Sequence, residues 1–244
     1  MRQYRIIGSI LFLWSISMFT NSLQAQQMIS NGKGLNQQEK SIISIAAINA
    51  KGDLENLKSA LKEGLEAGLT VNEIKEILVH TYAYCGFPRS IRGLQTFMEV
   101  INERKASGIT DKIGKEASLI KADDNKYERG KKVLEELTKT PSPEKFVGYA
   151  AFAPVIDTFL KEHLFADIFE RDILTYAQRE LVTLSVISAI GDAEPMLKGH
   201  LAIALNVGFT PKQLNEFITI IQPIIGENKA KAASLVVNEV LKSK

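Results

Sequence analysis

Residues 70–93, TVNEIKEILVHTYAYCGFPRSIRG, decide the fold of this chain. Thr70 and Glu73 have the spacing of a capping box, in which each side chain bonds the backbone of the other residue, so a helix is predicted to begin here. Gly86 and Pro88 then interrupt the helical pattern, because proline has no amide hydrogen and is best tolerated in the first turn of a new helix. The stretch therefore predicts two successive helices separated by a break.

The same pattern returns 140 residues later and indicates an internal duplication. The segment LKGHLAIALNVGFTPKQLNEFI at 197–218 aligns without a gap with LKSALKEGLEAGLTVNEIKEIL at 57–78. The identical pairs are Leu57/Leu197, Lys58/Lys198, Leu61/Leu201, Leu65/Leu205, Gly68/Gly208, Thr70/Thr210, Glu76/Glu216 and, further on, Gly86/Gly226. A fixed offset over these positions favours duplication over two unrelated helical hairpins that share capping residues.

Two tandem copies of an all-α unit are predicted to follow a short N-terminal segment. A length of 244 residues allows one or two domains, and no stretch shows the sustained alternation of a half-buried strand. The predicted boundaries are a signal peptide at 1–25, a first copy at 26–106, a linker at 107–125 and a second copy at 126–244. Residues 107–125 are assigned as the linker because this segment is polar and contains Gly108 and Gly114.

The N-terminal segment resembles a secretory signal. Arg2 and Arg5 precede the apolar run IIGSILFLWSISMF, which is too short to be a comfortable permanent anchor. Ala25 offers a small residue for cleavage, although Leu23 is not the small residue that the pattern prefers. The chain is therefore predicted to be exported, periplasmic or secreted, without a stable membrane span after cleavage; the alternative is an uncleaved N-terminal anchor.

Charge and motif content exclude several kinds of site. The formal net charge is +2 and no long basic run occurs, so no nucleic-acid partner is expected. The sequence has no CxxC, no HExxH and no cysteine–histidine spacing typical of a metal site, so no metal is expected. It also has one cysteine, which cannot form a disulfide within the chain. A small molecule is the expected partner.

Glu180 and His200 are the strongest candidates for acid–base chemistry. They lie on helices that are predicted to be joined by a tight turn at Gly191 and Asp192, eleven residues after Glu180 and nine before His200. Because an α-helix rises about 1.5 Å per residue, the two side chains fall at similar heights in an antiparallel hairpin. A carboxylate that orients an imidazole can support proton transfer. The alternatives are a purely structural hydrogen bond and a Glu180 exposed near the helix start.

A second cluster of candidates lies in residues 80–92. His80 and Tyr84 are four residues apart and share a helix face. Cys85 lies near a helix C-terminus, whose negative dipole end disfavours a thiolate, so it is expected to be a packing residue rather than a nucleophile. Arg89 and Arg92 follow the break and could bind a carboxylate, or could be solvated surface residues.

Three segments resemble the carboxymuconolactone decarboxylase family, within the alkylhydroperoxidase D-like superfamily. EIKEILVHTYAYCGFPRS is similar to the family segment that ends in a Tyr–x–Gly–x–Pro element. FADIFERDILTYAQRELVTLSVISAIGD resembles the entry to the family domain, in which an arginine and an Arg–Glu pair precede an apolar helix. HLAIALNVGFTPKQLNEFI resembles the helix that carries the family histidine. The likeness covers nearly all of residues 35–242 as two copies.

The resemblance implies an alkylhydroperoxidase D-like helical fold that assembles into rings, here a trimer of two-copy subunits. The decarboxylases of the family act on 4-carboxymuconolactone without a cofactor, so no cofactor is expected. The hydroperoxidase relatives use a glutamate, a CxxC pair and a histidine. Glu180 and His200 match that pattern, whereas the cysteine places fall near Ala193 and Met196. The thiol relay is therefore expected to be lost in the second copy.

The two copies retain complementary residues of the family pattern. Ser41 and Ala60 occupy the glutamate and histidine places of the first copy. The second copy has Ile220, Ile224, Ile225, Gly226 and Asn228 where the first has His80, Tyr84, Cys85, Gly86 and Pro88. The resulting hypothesis is a composite site, with the acid–base pair from one copy and His80 and Tyr84 from the other.

The sequence is compatible with three functions. The first is an exported, cofactor-free lyase or isomerase that acts on a small carboxylated lactone or related acid, with Arg89 binding carboxylate. The second is a peroxidase or peroxiredoxin-type antioxidant that uses Cys85 as its thiol. The third is a non-enzymatic binding or assembly protein. Because the known pathway for aromatic acids is cytoplasmic, an exported chain is expected to act on a substrate other than 4-carboxymuconolactone.

Overall fold

The computed structural model describes residues 33–120 and 125–243. The chain divides into two units, Met1–Gly34 and Leu35–Lys244. Only Lys33 and Gly34 of the first unit are described, so the predicted signal peptide lies outside the described residues. Among the residues that are described, no helix combines the length and the apolar character needed to cross a bilayer.

The second unit is helical, and no strand occurs in its described residues, which confirms the all-α prediction. Its elements are α1 (Gln37–Lys51), α2 (Leu54–Glu66), α3 (Val71–Ala106), α4 (Lys126–Thr138), α5 (Gly148–Phe152), α6 (Pro154–Phe159), the π-helix π1 (Leu160–Phe169), α7 (Tyr176–Ile190), α8 (Glu194–Asn206), α9 (Pro211–Ile225) and α10 (Glu227–Lys242). Helices α1 to α3 correspond to α7 to α10 of the second copy.

The capping box and the break in residues 70–93 are both confirmed. The Thr70 hydroxyl accepts from the Glu73 amide, and the Glu73 carboxylate accepts from the Thr70 amide. Gly86 leaves the helical region at φ 80° and ψ 164°, and Gly226 has nearly the same backbone at φ 85° and ψ 162°. Glycine adopts this region readily because it has no Cβ. The long α3 is thus two helices, as α9 and α10 are.

The two copies share one hydrophobic core. Helix α1 packs against α2 and α3 of its own copy and against α7 and α9 of the other. Fully buried Ile42, Ile43 and Ile45 of α1 belong to the same cluster as Leu181 and Leu184 of α7. The duplication has therefore produced one compact body, in which side chains of different copies can meet.

Residues 107–120, in the predicted linker, are hydrogen-bonded to the rest of the body. The amides of Val71 and Asn72, in the first turn of α3, donate to the carbonyls of Lys112 and Ile113 at 2.9 Å. Because the first amides of a helix have no partner within that helix, this connection satisfies them. The linker therefore caps α3 in addition to joining the copies.

Helix α4 and π1 form a second, smaller core cluster that reaches α8. The helices come close at Gly130, where an added Cβ would lie 1.8 Å from the Lys161 carbonyl oxygen. Ser142 and Pro143 have the residue types of a helix start and predict one helix from Pro143 to about His163. That prediction is wrong, because the first helix of this region begins at Gly148 and the chain breaks again before Pro154. Proline lacks the amide needed to continue a helix, which accounts for the second break.

Candidate active site

Glu180 and His200 meet as their spacing predicts. Glu180 is fully buried on α7, and its Oε2 lies 3.0 Å from Nδ1 of His200 on α8. A carboxylate can only accept, so Nδ1 carries the proton and Nε2 is left for another partner. The other oxygen of Glu180, Oε1, is buried without a hydrogen-bond partner among the described residues. A buried oxygen of this kind points to a donor that a ligand or water supplies.

His80 and Tyr84 from the first copy adjoin this pair. The His80 and Tyr84 rings stack with centroids 5.6 Å apart, and the Tyr84 ring meets the His200 ring edge-on at 5.9 Å. The four side chains named by the composite-site hypothesis therefore lie together within a single chain. Their catalytic role stays a prediction.

A buried line of hydrogen bonds runs through His80. Arg179 Nη1 lies 3.0 Å from His80 Nδ1, and His80 Nε2 lies 3.0 Å from Thr183 Oγ1. Thr183 Oγ1 in turn lies 3.1 Å from the Tyr84 hydroxyl. Arg179, His80 and Thr183 are each fully buried. We call these four residues the Arg179–Tyr84 chain.

Glu76 anchors the arginine end of that chain. Its carboxylate accepts from Arg179 Nη2 at 2.8 Å and from Arg171 Nε at 3.0 Å through each oxygen. The side chains of Glu76 and Arg179 are 2% and 0% exposed. Two charges at this depth are tolerated because they pair and hydrogen-bond closely. The pair joins α3 of the first copy to α7 of the second.

Burial sets the protonation of the two central rings. Burial, with the Arg179 and His200 charges nearby, lowers the pKa of His80 well below its ordinary value, so its imidazole is neutral. Burial, reinforced by the Glu180 charge, raises the pKa of Tyr84, so its hydroxyl keeps its proton. Burial also lowers the pKa of Arg179, while the hydrogen bond to Glu76 opposes that change.

The π-helix supplies the apolar wall of the site. The Phe169 ring at the end of π1 lies 5.2 Å from the His80 ring, and the Arg179 guanidinium carbon lies 5.9 Å from the Phe169 centroid. Phe165 and Tyr176 extend this wall, with ring centroids 5.1 Å and 6.3 Å from that of Phe169. π-helical turns are often found at functional sites, and here the Phe169 ring packs against His80 and Arg179, which are both fully buried.

Cys85 and Arg89, two further predicted site residues, make different contacts. The Cys85 thiol donates to the Thr81 carbonyl at 3.1 Å within its own helix, and burial raises the pKa of the thiol. Arg89 is exposed and lies over Gly52, where an added Cβ would come within 1.5 Å of its Nη1. The described contacts of these two side chains do not reach Glu180 or His200.

His163 forms a separate cluster at the surface of π1. Its Nε2 lies 2.7 Å from the Tyr82 hydroxyl, and its Nδ1 lies 3.1 Å from Asp167. Tyr82 also stacks on exposed Phe87 at 4.2 Å. None of these residues contacts the Arg179–Tyr84 chain in a described interaction.

One cavity lies beside the interhelical turn of each copy, and neither cavity is lined by Glu180, His200, His80 or Tyr84. One, of about 180 Å³, is lined by Ser188, Gly191 and the first turn of α8. The other, of about 330 Å³, is lined by Ser44, Ala60 and Ile224, which are equivalent to Thr183, His200 and Tyr84. The first copy therefore has a cavity at the place where the second copy has its acid–base cluster.

Sequence reasoning missed four members of the site: Glu76, Arg171, Arg179 and Thr183. Glu76 was visible as one of the identities between the copies, and the two arginines as part of the family-like entry segment. Their joint role was not visible, because the pairing crosses from one copy to the other. Within residues 33–120 and 125–243, no group of three or more His, Cys, Asp or Glu side chains is arranged to hold a metal ion.

Comparison with known proteins gives the family. The carboxymuconolactone decarboxylase family model matches residues 20–97, beginning inside the predicted signal peptide, and residues 154–239, together more than half of the chain. An uncharacterized protein of Methanocaldococcus jannaschii is 27% identical over 79 residues, 32% of this chain and 74% of the relative. The 4-carboxymuconolactone decarboxylase of Acinetobacter baylyi is 30% identical over 70 residues, 29% of this chain and about half, 52%, of that enzyme's length. The chain belongs to the carboxymuconolactone decarboxylase family.

Proposed function

We propose that this protein is a cofactor-free acid–base lyase that acts on a small carboxylated lactone or a related acid. The observation that carries the proposal is the buried Glu180–His200 pair, joined at 3.0 Å beside the Tyr84 ring. In this arrangement Glu180 orients the imidazole, and His200 Nε2 moves a proton to or from the substrate. The name of the Acinetobacter baylyi relative supports decarboxylation as the reaction.

The proposed reaction balances without a cofactor. The bond between the substrate carbon and its carboxylate breaks, carbon dioxide leaves, and the bonding electron pair stays on the substrate as an enolate. His200 carrying a proton on Nε2 then delivers that proton to the carbon. Solvent returns a proton to His200, while the buried carboxylate of Glu180 stabilises the charged ring between the two steps.

The carboxylate of the substrate needs a cationic partner, for which Arg89 was the sequence prediction. Arg89 lies over Gly52, and the Cys85 thiol hydrogen-bonds within its own helix. Neither side chain is therefore assigned a role in the reaction at the Glu180–His200 pair of the same chain. Arg171 is the more suitable cation, since its side chain is 37% exposed and its contact with Glu76 links it to buried Arg179. The thiol-based alternative has less support, because burial raises the pKa of Cys85.

Turnover of carboxylated lactones and β-keto acids, followed as carbon dioxide release, tests the proposal. General acid–base groups contribute on the order of 100-fold or more, so His200→Gln is expected to lose at least that much in kcat. His163→Gln is the matched control, because that histidine lies in the separate Tyr82 cluster. Absence of turnover with the whole panel would overturn the proposal and favour a binding protein, whereas full activity in His200→Gln would overturn the proposed acid–base mechanism.

We also propose that the chain is exported and assembles as a trimer. Export is supported by the sequence of residues 1–25. Assembly is supported by an apolar stripe on the second half of α3, where Phe87, Ile91 and Met98 are 61%, 48% and 64% exposed. The equivalent positions of the other copy are the polar Glu227, Lys231 and Asn238. Light scattering during size-exclusion chromatography tests the assembly, and a monomer at micromolar concentration would contradict it.

A further inference from the structure

We propose that the Arg179–Tyr84 chain is a directional line of hydrogen bonds that fixes Tyr84 as the donor to a substrate oxyanion. Arg179 and Thr183 are then positioning residues for a reaction that passes through an enolate. This inference rests on the proposed function and deepens it, because it names the chemistry that the substrate must present. Each residue, from Arg179 to Tyr84, fixes the direction of hydrogen-bond donation to the next.

Arg179 sets the direction because a guanidinium has donors and no acceptor. Its Nη2 is occupied by Glu76 at 2.8 Å and by the Arg171 carbonyl. Its Nη1 lies 3.0 Å from His80 Nδ1. Nδ1 must therefore be the accepting nitrogen of the ring.

His80 passes this direction on. It is fully buried, and its neutral form carries one proton, which cannot be on the nitrogen that accepts from Arg179. The proton is therefore on Nε2, which lies 3.0 Å from Thr183 Oγ1 and donates to it. This fixes the tautomer of His80 without reference to any ligand.

Thr183 completes the line. Its hydroxyl accepts from His80 and has a single proton, which it donates to the Tyr84 oxygen at 3.1 Å. The Tyr84 oxygen is thus an acceptor toward Thr183, and its own proton has no acceptor in any interaction described for the chain. That proton is available to a bound molecule next to His200, whose ring centroid lies 5.9 Å from that of Tyr84.

A tyrosine hydroxyl beside a proton-transfer base suits a substrate oxygen on which negative charge develops. The oxygen of an enolate is such a group, and it forms when a carbonyl lies next to the carbon that loses its carboxylate. The substrate class is therefore an acid whose carboxylate is β to a ketone, ester or lactone carbonyl. An acid without that carbonyl would leave the Tyr84 donor unused.

The other copy shows that the fold forms without the hydrogen bonds of the Arg179–Tyr84 chain. The residues equivalent to His80 and Tyr84 are Ile220 and Ile224, which have no polar side-chain atoms. Ser44 stands at the place of Thr183. The same backbone therefore packs without the line of hydrogen bonds, which argues against a purely structural role.

Two measurements test the inference. The first is ¹⁵N NMR of the histidine rings of the full chain between pH 6 and 8, where His80 is expected to be neutral with its proton on Nε2. The second is titration with 4-nitrophenolate, a stable oxyanion whose absorbance responds to hydrogen bonding. Tyr84→Phe and Thr183→Val are each expected to weaken its binding by about tenfold or more, as the loss of a hydrogen bond to a charged group does.

Conservative variants separate positioning from packing. Thr183→Ser keeps the hydroxyl and is expected to restore binding, whereas Thr183→Val has nearly the same shape without it. Ser44→Ala changes the equivalent residue of the other copy and is expected to bind 4-nitrophenolate as the unmodified protein does. An unfolding midpoint for each variant shows whether it is folded.

The outcomes distinguish this inference from the proposed function. A proton on Nδ1 of His80, no binding of 4-nitrophenolate by the unmodified protein, or unchanged binding in Tyr84→Phe or Thr183→Val would each overturn the inference. Oxyanion binding that depends on Tyr84, without turnover of any acid in the panel, would support the inference and overturn the lyase function. Turnover without oxyanion binding would do the reverse.

Discussion

The Glu76–Arg179 and Glu216–Lys40 ion pairs occupy equivalent places in the two copies and differ in depth. Each pair joins a helix of one copy to a helix of the other, at 2.8 Å for the first pair and 2.9 Å for the second. The side chains of the first pair are 2% and 0% exposed, whereas those of the second are 26% and 37% exposed. The duplication has kept the cross-copy contact while burial has changed its energetics.

The residues beyond each pair differ more strongly than the pairs themselves. The buried pair continues into His80, Thr183 and Tyr84 and ends beside His200. The exposed pair has isoleucines at the two ring positions, so no such continuation is possible there. The ion pair is therefore a feature of the fold that both copies share, whereas the acid–base cluster was retained or acquired beside only one of the two pairs.

The largest expected effect comes from breaking the buried pair. Glu76→Gln leaves buried Arg179 without its paired carboxylate, and removal of one partner of a buried pair costs about 3–5 kcal/mol of unfolding free energy. Glu216→Gln is the matched change at the exposed pair, where the loss is expected to stay within about 1 kcal/mol. Chemical denaturation at one fixed protein concentration measures both.

Equal losses of unfolding free energy in the two variants would contradict this prediction, because they would show that burial does not make the two pairs differ in energy. Glu216 also accepts from the Leu35 amide at 2.8 Å, so part of any loss in its variant belongs to that bond. Lys40→Gln removes the ion pair and leaves that bond in place. It is therefore the control for the exposed pair.

The second prediction concerns the backbone that both copies share. Gly86 and Gly226 have the same left-handed, extended backbone, at φ 80° and φ 85°, and an added Cβ would meet little or nothing in either place. Gly86→Ala and Gly226→Ala are therefore expected to cost about 1–3 kcal/mol each through backbone strain, and to cost similar amounts. Denaturation midpoints measure this, and a loss confined to one copy would show that the equivalence of the breaks is only geometric.

Local chemistry made much of the fold predictable from sequence. The capping box at Thr70 and the break at Gly86 depend on residues within a few positions of each other, so their signals are complete in the local sequence. The Glu180–His200 contact was predictable for a similar reason, since a tight turn between two helices fixes which residues face each other. In both cases short-range spacing determines the structure.

The Arg179–Tyr84 chain was not predictable in the same way. His80 and Thr183 are 103 residues apart in sequence, and only the packing of the two copies brings them together. The start of α5 was missed because prolines favour a helix start without requiring one, and the helix begins later, at Gly148. Long-range packing and competing local signals therefore account for what the sequence left undetermined.

The third prediction uses the pH dependence of stability. The pKa of His80 in the folded chain lies well below its ordinary value of 6.5, so below pH 6.5 the unfolded chain binds a proton that the folded chain does not. Stability is therefore present above that pH and is lost as the pH falls, by up to about 1.4 kcal/mol per pH unit. His80→Asn, whose amide oxygen can still accept from Arg179, is expected to lack this pH dependence of the unfolding free energy between pH 7 and pH 5.5.

The equivalent position of the other copy provides the reference for that slope. Ile220→Leu keeps an apolar residue there and leaves His80 unchanged, so its pH dependence is expected to match that of the unmodified protein. A slope in His80→Asn equal to that of the unmodified protein would assign the pH dependence to His163, His200 or the carboxylates instead. The absolute stability of each variant does not affect this test, because only the slope is compared.

The smallest expected effect is at Cys85, whose equivalent in the other copy is Ile225. Burial raises the pKa of the thiol, so at pH 8 it has a smaller thiolate fraction than an ordinary cysteine, and its alkylation by iodoacetamide is expected to be slower than in the unfolded chain. Cys85→Ala removes one small, partly buried group and is expected to cost about 1 kcal/mol or less while lyase turnover is unchanged. Rapid alkylation of the folded chain, or peroxide consumption that disappears in Cys85→Ala, would instead make this thiol the reactive group of the first copy. The two copies would then contain two different chemistries, and Glu180 and His200 would no longer be the sole candidates for function.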